Sequence, residues 1–316
     1  MSILLFSGIV ANGINISVFA KMDLHDSTNV SLLALSISDF VVLVLGSLIY
    51  LISYPELQDV DFVFSVTDIG VFILARPYYC FKRVSNLIMA FITCERCLCI
   101  IQPMKVRDII TPRRSIVILV AIGVTMAITT TPLYIASFCK FTLNSVKNKT
   151  SLALVYKHCI LEMESLATSI SFTLSMLTLA WVVACTVILV SGLKRNSVWR
   201  AQASDTVTTS KIYTRDKKVI KMVTILLIIF IAAFYPECAV LIFQAIEPEL
   251  SQSGKYRNLH VLLLRVTETL LAVSMSVNIF IYLKMSSKYR QAFKLCFCQT
   301  IVLCFKHICS SASSGI

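Results

Sequence analysis

The chain has 316 residues, of which 57% are hydrophobic and only 15% are charged, and its formal net charge is +12. A soluble globular protein is about one quarter charged, so this composition excludes an ordinary soluble domain and indicates a membrane protein. A strong positive charge also occurs in nucleic-acid-binding proteins, but here the basic residues fall in alternate loops between apolar segments, a pattern that excludes that class.

Seven apolar segments follow one another, each near or above the length of about 20 residues that crosses a hydrocarbon core. They cover residues 3–20, 30–52, 66–101, 116–138, 166–193, 219–246 and 259–283. Strict alternation of apolar and polar residues is absent, so the segments predict helices rather than barrel strands. The predicted fold is an all-α membrane protein: a seven-transmembrane helix bundle over residues 1–284, a short amphipathic eighth helix over 285–298 and a cytoplasmic tail over 299–316.

The loops predict how the bundle lies in the membrane. Basic residues concentrate after the first, third, fifth and seventh segments, whereas the other loops are acidic or mixed. The positive-inside rule then predicts a multi-pass protein of the plasma membrane with an extracellular N-terminus and a cytoplasmic C-terminus. The first segment lacks a basic leader and a cleavage site, so it is predicted to be a span preceded by a very short or truncated outer terminus. Asn148-Lys149-Thr150 lies in an outer loop and predicts glycosylation at Asn148.

The twelve cysteines do not form a disulfide scaffold, because most lie within the spans or on the inner side. Cys139 and Cys159 flank the second outer loop, where they form either a disulfide or two free thiols. Cys296 and Cys298 follow the amphipathic segment and are candidates for palmitoylation, with free thiols as the alternative. Their spacing does not resemble a zinc site.

Polar residues occur at depths where lipid would reject them. Asn12 lies in the first span, Asp39 in the second, Ser85 in the third and Asn278 in the seventh. A carboxylate in mid-membrane requires a partner, a proton or a cation. Asp39, Ser85 and Asn278 together provide the oxygen atoms that a small hard cation requires. A small hard cation is therefore the one metal that these residues suggest, and no other cofactor is expected.

The outer half of the bundle carries unusual charges. Two stripes on the third span and three residues on the sixth and seventh form the set: Arg76, Tyr79 and Arg83; Tyr78 and Lys82; Glu237, Arg265 and Glu268. One interpretation is a buried ion-pair network, for instance Arg83 with Glu237 or Glu268. The other is a ligand site for an anionic or zwitterionic solute, with Lys82 and Arg83 binding its carboxylate.

Motifs on successive spans resemble those of the rhodopsin-like (class A) G-protein-coupled receptors. They occur in the family's order: Asn12; Leu35-Ser36-Ile37-Ser38-Asp39; Glu95-Arg96-Cys97 with Pro103; Phe230-Ile231-Ala232-Ala233-Phe234-Tyr235-Pro236; Asn278-Ile279-Phe280-Ile281-Tyr282; and residues 285–293 as the eighth helix. The resemblance implies that the cation at Asp39, Ser85 and Asn278 is sodium, acting as an allosteric modulator. The chain departs from the family pattern at five places. Val71 stands where a cysteine is expected, Phe234 where a tryptophan is and Ile279 where a proline is, and the family's fourth-span tryptophan and fifth-span proline are not evident.

The resemblance implies a mechanism in which Arg96, on the inner side, is bridged to Asp216 at rest. Pro236 then acts as a hinge, while Phe230, Phe234 and Tyr282 repack as the sixth span moves outward. This motion implies docking of a heterotrimeric G protein, followed by a receptor kinase and arrestin, with membrane lipid around the bundle. Tyr78 stands where amine receptors carry an aspartate, so an amine ligand is not expected.

Within the family, the segments around Asp39 and around Arg96 are similar to molluscan chemosensory receptors, which are related to invertebrate FMRFamide-type neuropeptide receptors. The predicted function is reception of an extracellular small-molecule or peptide ligand, in a chemosensory role. A neuropeptide role is the alternative within the same fold. A small-solute transporter is the alternative from another class, with Asp39, Arg83, Glu237 and Glu268 as its relay. No arrangement typical of catalysis occurs, so an enzyme is not expected.

Overall fold

The computed structural model describes residues 2–54, 56, 64–102, 105–144, 149–158, 160–202, 207–247, 249–250 and 254–297; the side chains of residues 193–219 are not described. Seven helices in it are long and apolar enough to cross a membrane. Their bounds define the spans used below: Ser2–Ala20, Ser27–Ile52, Asp68–Ile101, Pro112–Ile135, Ser165–Gly192, Ile220–Ile246 and Arg257–Met285. The predicted seven-helix bundle is confirmed, and each of the seven predicted segments agrees with the observed span within four residues at both ends.

The spans form a ring in which each packs on its neighbours in sequence and the first closes on the seventh. The third span contacts the second, fourth, fifth and sixth spans. It is the most buried of the seven, since 61% of the residues in its most apolar stretch are buried. We call the end of the bundle that carries Arg96 the inner end and the end that carries Lys82 the outer end. Since the third span runs through the centre from one end to the other, it connects the two.

The fifth and sixth spans belong to helices that are longer than the apolar spans themselves. These helices run over Ile160–Gln202 and Val207–Ile246, so their polar ends extend past the inner end of the bundle. The helix of the fourth span begins at Pro112. Thr111 is its N-cap, because the Thr111 hydroxyl accepts a hydrogen bond from the Arg114 amide at 3.4 Å. The second begins behind Asp26, whose side chain accepts from the Thr28 amide at 3.1 Å. A side-chain acceptor at the N-cap satisfies an amide that has no partner inside its helix.

The outer end of the third span contains a π-helical turn. The helix runs over Val66–Gly70, continues as a π-turn over Val71–Ala75 and becomes regular over Arg76–Ile101. Pro77 lacks an amide hydrogen and its ring would collide with the carbonyl four residues earlier, so the backbone here cannot remain regular. The Arg76 amide bonds the carbonyl of Val71, five residues back, as in a π-turn. The third span therefore includes its charged outer half and begins at Asp68, two residues after the predicted start at Val66.

The second outer loop is a β-hairpin, which the sequence analysis did not predict. Strands Ser137–Asn144 and Lys149–Tyr156 pair antiparallel, with Cys139 opposite Leu154. The fourth span consequently ends at Ile135, and the segment to residue 138 that was predicted as helix is turn and strand. The hairpin also contacts the first outer loop, because the Ser65 amide donates to the Leu152 carbonyl at 2.8 Å.

The predicted eighth helix is present over residues 287–297. Ser286 precedes it and caps it, since the Ser286 hydroxyl accepts from the Tyr289 amide at 3.1 Å. Tyr289 and Cys296 face the bundle and are buried, whereas Lys288 and Lys294 are exposed. The Tyr289 hydroxyl donates to Asn15 Oδ1 of the first span at 2.6 Å, which attaches the helix to the bundle. Burial raises the pKa of Tyr289, so its hydroxyl remains a donor at neutral pH.

Candidate functional site

At the inner end, the Glu95 carboxylate joins three spans. Glu95 is fully buried, and its Oε1 accepts from the Ser27 hydroxyl at 2.5 Å and from the Ser115 hydroxyl at 3.1 Å. The two hydroxyl oxygens lie 2.6 Å from each other. Ser27 begins the second span and Ser115 lies in the first turn of the fourth. Both donors bond Oε1, while Oε2 is buried and has no hydrogen-bond partner among the described residues. Because hydrogen bonds are what offset the cost of burying a carboxylate, these two bonds hold the inner end of the third span to both neighbours.

Arg96 lies beside Glu95 in sequence but bonds elsewhere. Its Nη2 donates to the Thr28 hydroxyl at 2.6 Å, the residue is only 8% exposed, and its Nε has no hydrogen-bond partner among the described residues. Asp216 lies in the helix of the sixth span, but its side chain is outside the described part, so the Arg96–Asp216 bridge stays a prediction. Cys97 of the same triplet points to the fifth span, with its Sγ 3.2 Å from the Cys185 carbonyl oxygen.

In mid-membrane, the three residues predicted to form a sodium site are brought together. Ser85 donates to Asp39 Oδ1, and Asn278 Nδ2 donates to Asp39 Oδ2 at 3.2 Å. All three are buried, and they come from the second, third and seventh spans. The carboxylate, the hydroxyl and the amide form a donor set that suits a small hard cation, with Asp39 supplying the negative charge. Sodium binding here stays a prediction.

Aromatic residues fill the space between the sixth span, the seventh span and the final helix. Phe230 and Phe234 stack with ring centroids 5.2 Å apart, and both are buried. Phe230 lies six residues before Pro236 and Phe234 two residues before it. Tyr282 is also buried and contacts Phe19 at 5.2 Å and Tyr289 at 5.4 Å, but its hydroxyl has no partner among the described residues. A buried hydroxyl without a partner is costly, so Tyr282 gains if a rearrangement gives it one.

An outer cavity of about 630 Å³, counting space open to the outside, lies between the first, second, third and seventh spans. Five residues of the predicted outer set line it: Tyr78, Tyr79, Lys82, Arg265 and Glu268. Lys82 Nζ lies 2.8 Å from Glu237 Oε1 of the sixth span, and Arg265 Nη1 lies 3.4 Å from Glu268 Oε2. The rest of the wall is mostly apolar, from residues that include Leu5, Val42, Leu43, Ala272 and Met275.

The other residues of the outer set lie away from the cavity. The Arg76 guanidinium lies 5.2 Å from the Phe72 ring of its own span and 5.1 Å from the Tyr134 ring of the fourth span. It also donates to Ser137 Oγ of the hairpin at 2.7 Å. Arg83 is half-buried and does not line the cavity. Glu237 stands behind Lys82 rather than on the wall. Among the described residues, Glu237 thus pairs with Lys82 and not with Arg83, which the ion-pair interpretation had named as its example.

Several predicted sites fall outside the described residues. These are Pro103 after the Glu-Arg-Cys triplet, the glycosylation site Asn148, Cys159 and Cys298. Cys139, the expected partner of Cys159, is a free and exposed cysteine on the first strand of the hairpin. Cys296 is buried with its Sγ 3.8 Å from the Ser17 carbonyl oxygen, so acylation would first require the thiol to leave this contact.

The sequence analysis missed the hydroxyl partners of the inner triplet: Ser27, Thr28 and Ser115. Ser27 and Thr28 do carry a signal, because Asp26-Ser27-Thr28 is a typical helix start and sits just past the basic inner turn. Ser115 has no comparable signal, since a serine in the first turn of a helix is ordinary. Asn15 was missed as well, although an asparagine within a span predicts an interhelical bond.

Comparison with known proteins supports this architecture. Residues 12–282 match the family model described as "7 transmembrane receptor (rhodopsin family)", a range that begins at Asn12 and ends at Tyr282 and covers more than four fifths of the chain. No curated protein sequence matches the chain, so its similarity to molluscan chemosensory and FMRFamide-type receptors stays a prediction. The order of motifs, the seven-helix bundle and the family match agree: the chain is a multi-pass membrane protein that belongs to the rhodopsin family of seven-transmembrane receptors.

Proposed function

We propose that the protein is a chemosensory receptor of the plasma membrane, which binds an extracellular ligand in the outer cavity and activates a heterotrimeric G protein at its inner end. Family membership already makes it a signalling receptor rather than an enzyme and gives no support to the transporter alternative. The ligand class, the cellular membrane and the orientation of the termini are the parts proposed here. Arrestin and a receptor kinase are proposed as the partners that end the signal.

One observation carries the proposal: a single helix bears both the cavity wall and the buried inner arginine. Lys82 lines the cavity and Arg96 bonds Thr28, both on the third span. They are 14 positions apart, about 21 Å at the usual rise of an α-helix. A ligand that shifts the outer half of this helix also changes the environment of Arg96, because packed helices move as rigid bodies rather than deform continuously.

The arrangement of the inner end supports the coupling step. The Arg96 guanidinium is buried, and among the described residues it donates to the Thr28 hydroxyl. The Asp216 carboxylate is the further partner that we propose for Arg96 in the resting state. Movement of the sixth span at Pro236 would open a groove beside Arg96 that suits an amphipathic helix of a G protein α-subunit. The ligand then acts by binding the open state more tightly than the closed one.

The test is nucleotide exchange on purified G proteins by the receptor in nanodiscs, without ligand. Asp216→Asn is expected to raise basal exchange by removing the resting partner of Arg96, and Arg96→Ala is expected to abolish exchange. Asp108→Asn, at an exposed inner position, is the matched control and should leave the basal rate unchanged. Absence of exchange with every G protein class, for the wild type and for Asp216→Asn alike, would refute the proposal.

The chemosensory and neuropeptide roles differ in where the receptor is made. Transcript in a sensory epithelium supports the chemosensory role, whereas transcript confined to central neurons supports the neuropeptide role. The mostly apolar cavity of about 630 Å³ has the size of a small-molecule site, which favours a small molecule over a peptide.

A further inference from the structure

The wall of the outer cavity carries more positive than negative side chains. Lys82 and Arg265 line it against a single carboxylate, Glu268. The fourth charged residue nearby, Glu237, contacts Lys82 but does not line the cavity. With Glu237 included, the four charges sum to zero, but the wall itself presents two cationic groups and one carboxylate. This local excess favours a ligand with a negative group.

Both cations keep hydrogen-bond donors for such a group. The Lys82 ammonium has three donors and one carboxylate contact, to Glu237 Oε1 at 2.8 Å. Arg265 has a 50% exposed side chain and contacts Glu268 only at 3.4 Å. The guanidinium has five donors in a planar fork, a geometry that matches a carboxylate. Tyr79 lies within electrostatic reach of Lys82, Arg265, Glu237 and Glu268, so these charges form one cluster.

The rest of the cavity suits an apolar chain. Leu5 of the first span, Leu43 of the second, and Ala272 and Met275 of the seventh form a continuous apolar wall. Leu5, Leu43, Ala272 and Met275 also belong to one buried hydrophobic cluster, so the wall is packed from behind. A ligand that fills this cavity therefore has a charged head at Lys82 and Arg265 and an apolar tail against the first, second and seventh spans.

We propose, resting on the receptor function above, that the outer cavity binds a small amphipathic carboxylic acid, whose carboxylate bonds Lys82 and Arg265 and whose chain covers the apolar wall. The same contact acts as the trigger. The Lys82–Glu237 pair joins the third span to the sixth, and Glu237 directly follows the hinge residue Pro236. A ligand carboxylate competes with Glu237 for the ammonium and so weakens the link that holds the hinge.

The ion pair is suited to such an exchange. The Lys82 side chain is 7% exposed and the Glu237 side chain 18% exposed, so bulk water solvates neither charge well. Glu237 Oε2 is buried and has no hydrogen-bond partner among the described residues. If a ligand carboxylate takes the Lys82 ammonium, the Glu237 carboxylate cannot stay buried without a partner at low cost. Glu237 must then move, and its movement displaces the backbone next to Pro236.

Binding is tested with butanoate, pentanoate and hexanoate as probes, and with hexylamine and hexanamide as matched controls. The purified full chain in nanodiscs is titrated by calorimetry, a measurement that does not depend on a G protein. The acids are expected to bind and the amine and the amide are not. Each added methylene that is buried should tighten binding about fourfold.

Two variants test the head contact. Arg265→Gln, at a half-exposed position where folding is not at risk, is expected to weaken hexanoate binding about tenfold or more, because a charged hydrogen bond is lost. Lys82→Met with Glu237→Gln removes the pair without leaving a buried charge alone, and it should abolish the preference for acid over amide. Lys255→Gln, at an exposed outer position away from the cavity wall, is the matched control and should bind hexanoate as the wild type does.

The trigger is tested by basal nucleotide exchange. Glu237→Gln should raise it twofold or more, and the swap of Lys82→Glu with Glu237→Lys should return it towards the wild-type rate. Hexylamine binding as tightly as hexanoate, or hexanoate affinity unchanged in both head variants, would overturn the inference even for a receptor that signals. If the receptor binds acids through Lys82 but never activates a G protein, the proposed function is overturned and the binding site is supported.

Discussion

The hydroxyl of Ser115 should contribute measurably to stability, and Ser115→Ala tests this. The hydroxyl is fully buried and donates to Glu95 Oε1 at 3.1 Å, while Ser27 donates to the same oxygen at 2.5 Å. A hydrogen bond to a charged group contributes about 1.5–3 kcal/mol. Since the Ser27 bond remains, we expect the low end, about 1.5 kcal/mol. At about 2 °C per kcal/mol for a chain of this size, the unfolding midpoint should fall by about 3 °C.

The assay is thermal unfolding in nanodiscs, followed with a thiol-reactive dye that reports newly exposed cysteines. Ser36→Ala is the matched control, because Ser36 is equally buried but its hydroxyl only bonds the Leu32 carbonyl of its own helix at 2.9 Å. That variant should change the midpoint little, since such a bond competes with the helix backbone rather than joining two elements.

A double-mutant cycle separates the charge of Glu95 from simple packing. In a Glu95→Gln background, Ser115→Ala should cost less than about 1 kcal/mol, because a hydrogen bond between neutral groups is weaker. The reasoning is refuted if Ser115→Ala behaves like Ser36→Ala, or if its cost is the same with Gln as with Glu at position 95.

Three further predictions concern other contacts. Tyr289→Phe removes the bond to Asn15 and should destabilise the attachment of the final helix by about 1–2 kcal/mol, which is measured as faster amide exchange over residues 287–297. The control Tyr256→Phe changes an exposed ring and should leave the exchange as in the wild type. Equal exchange rates in the two variants would contradict the attachment. Sodium chloride should stabilise the wild type against unfolding more than potassium chloride does, by about 1.4 kcal/mol at a sodium concentration tenfold above Kd. Asp39→Asn should remove this difference. A wild type with the same stability in both salts would rule out the sodium site. Arg76→Gln should lower the free energy of unfolding by about 1–2 kcal/mol and speed proteolysis of the hairpin, because the contacts of Arg76 with two rings and Ser137 are lost. Lys140→Gln, at an exposed position of the hairpin, is the control. A hairpin equally resistant to protease in both variants would contradict the role of Arg76.

The fold was predictable because the bilayer imposes the same requirement on every span. Long apolar segments, basic inner loops and motif order each carry their signal locally, so they predicted seven helices and the final helix, which the structure confirms. The hairpin of the second outer loop escaped prediction, since strands of a water-exposed loop are not constrained by lipid. The π-turn before Arg76 did have a local cause in Pro77, but the extent of its effect depends on how the outer helix packs.

The site was predictable in part. Asp39, Ser85 and Asn278 were expected together, because a carboxylate in mid-membrane must find partners and few polar residues lie at that depth. Arg83 and Lys82 are adjacent on the third span and equally charged, and their sequence does not say which one faces the cavity. The direction of each side chain depends on the rotation of the helix against its neighbours, and so Lys82, not Arg83, pairs with Glu237.

By itself, the sequence determined that the chain crosses a membrane seven times and that Glu95 and Arg96 lie at the inner end of the third span, because hydrophobic length and position along a helix are local properties. Only the tertiary structure decided that Glu95 bonds Ser27 and Ser115 while Arg96 bonds Thr28. Those hydroxyls come from other spans, as far as 68 positions away, and only the packing of whole helices brings them within hydrogen-bond distance of two adjacent charges.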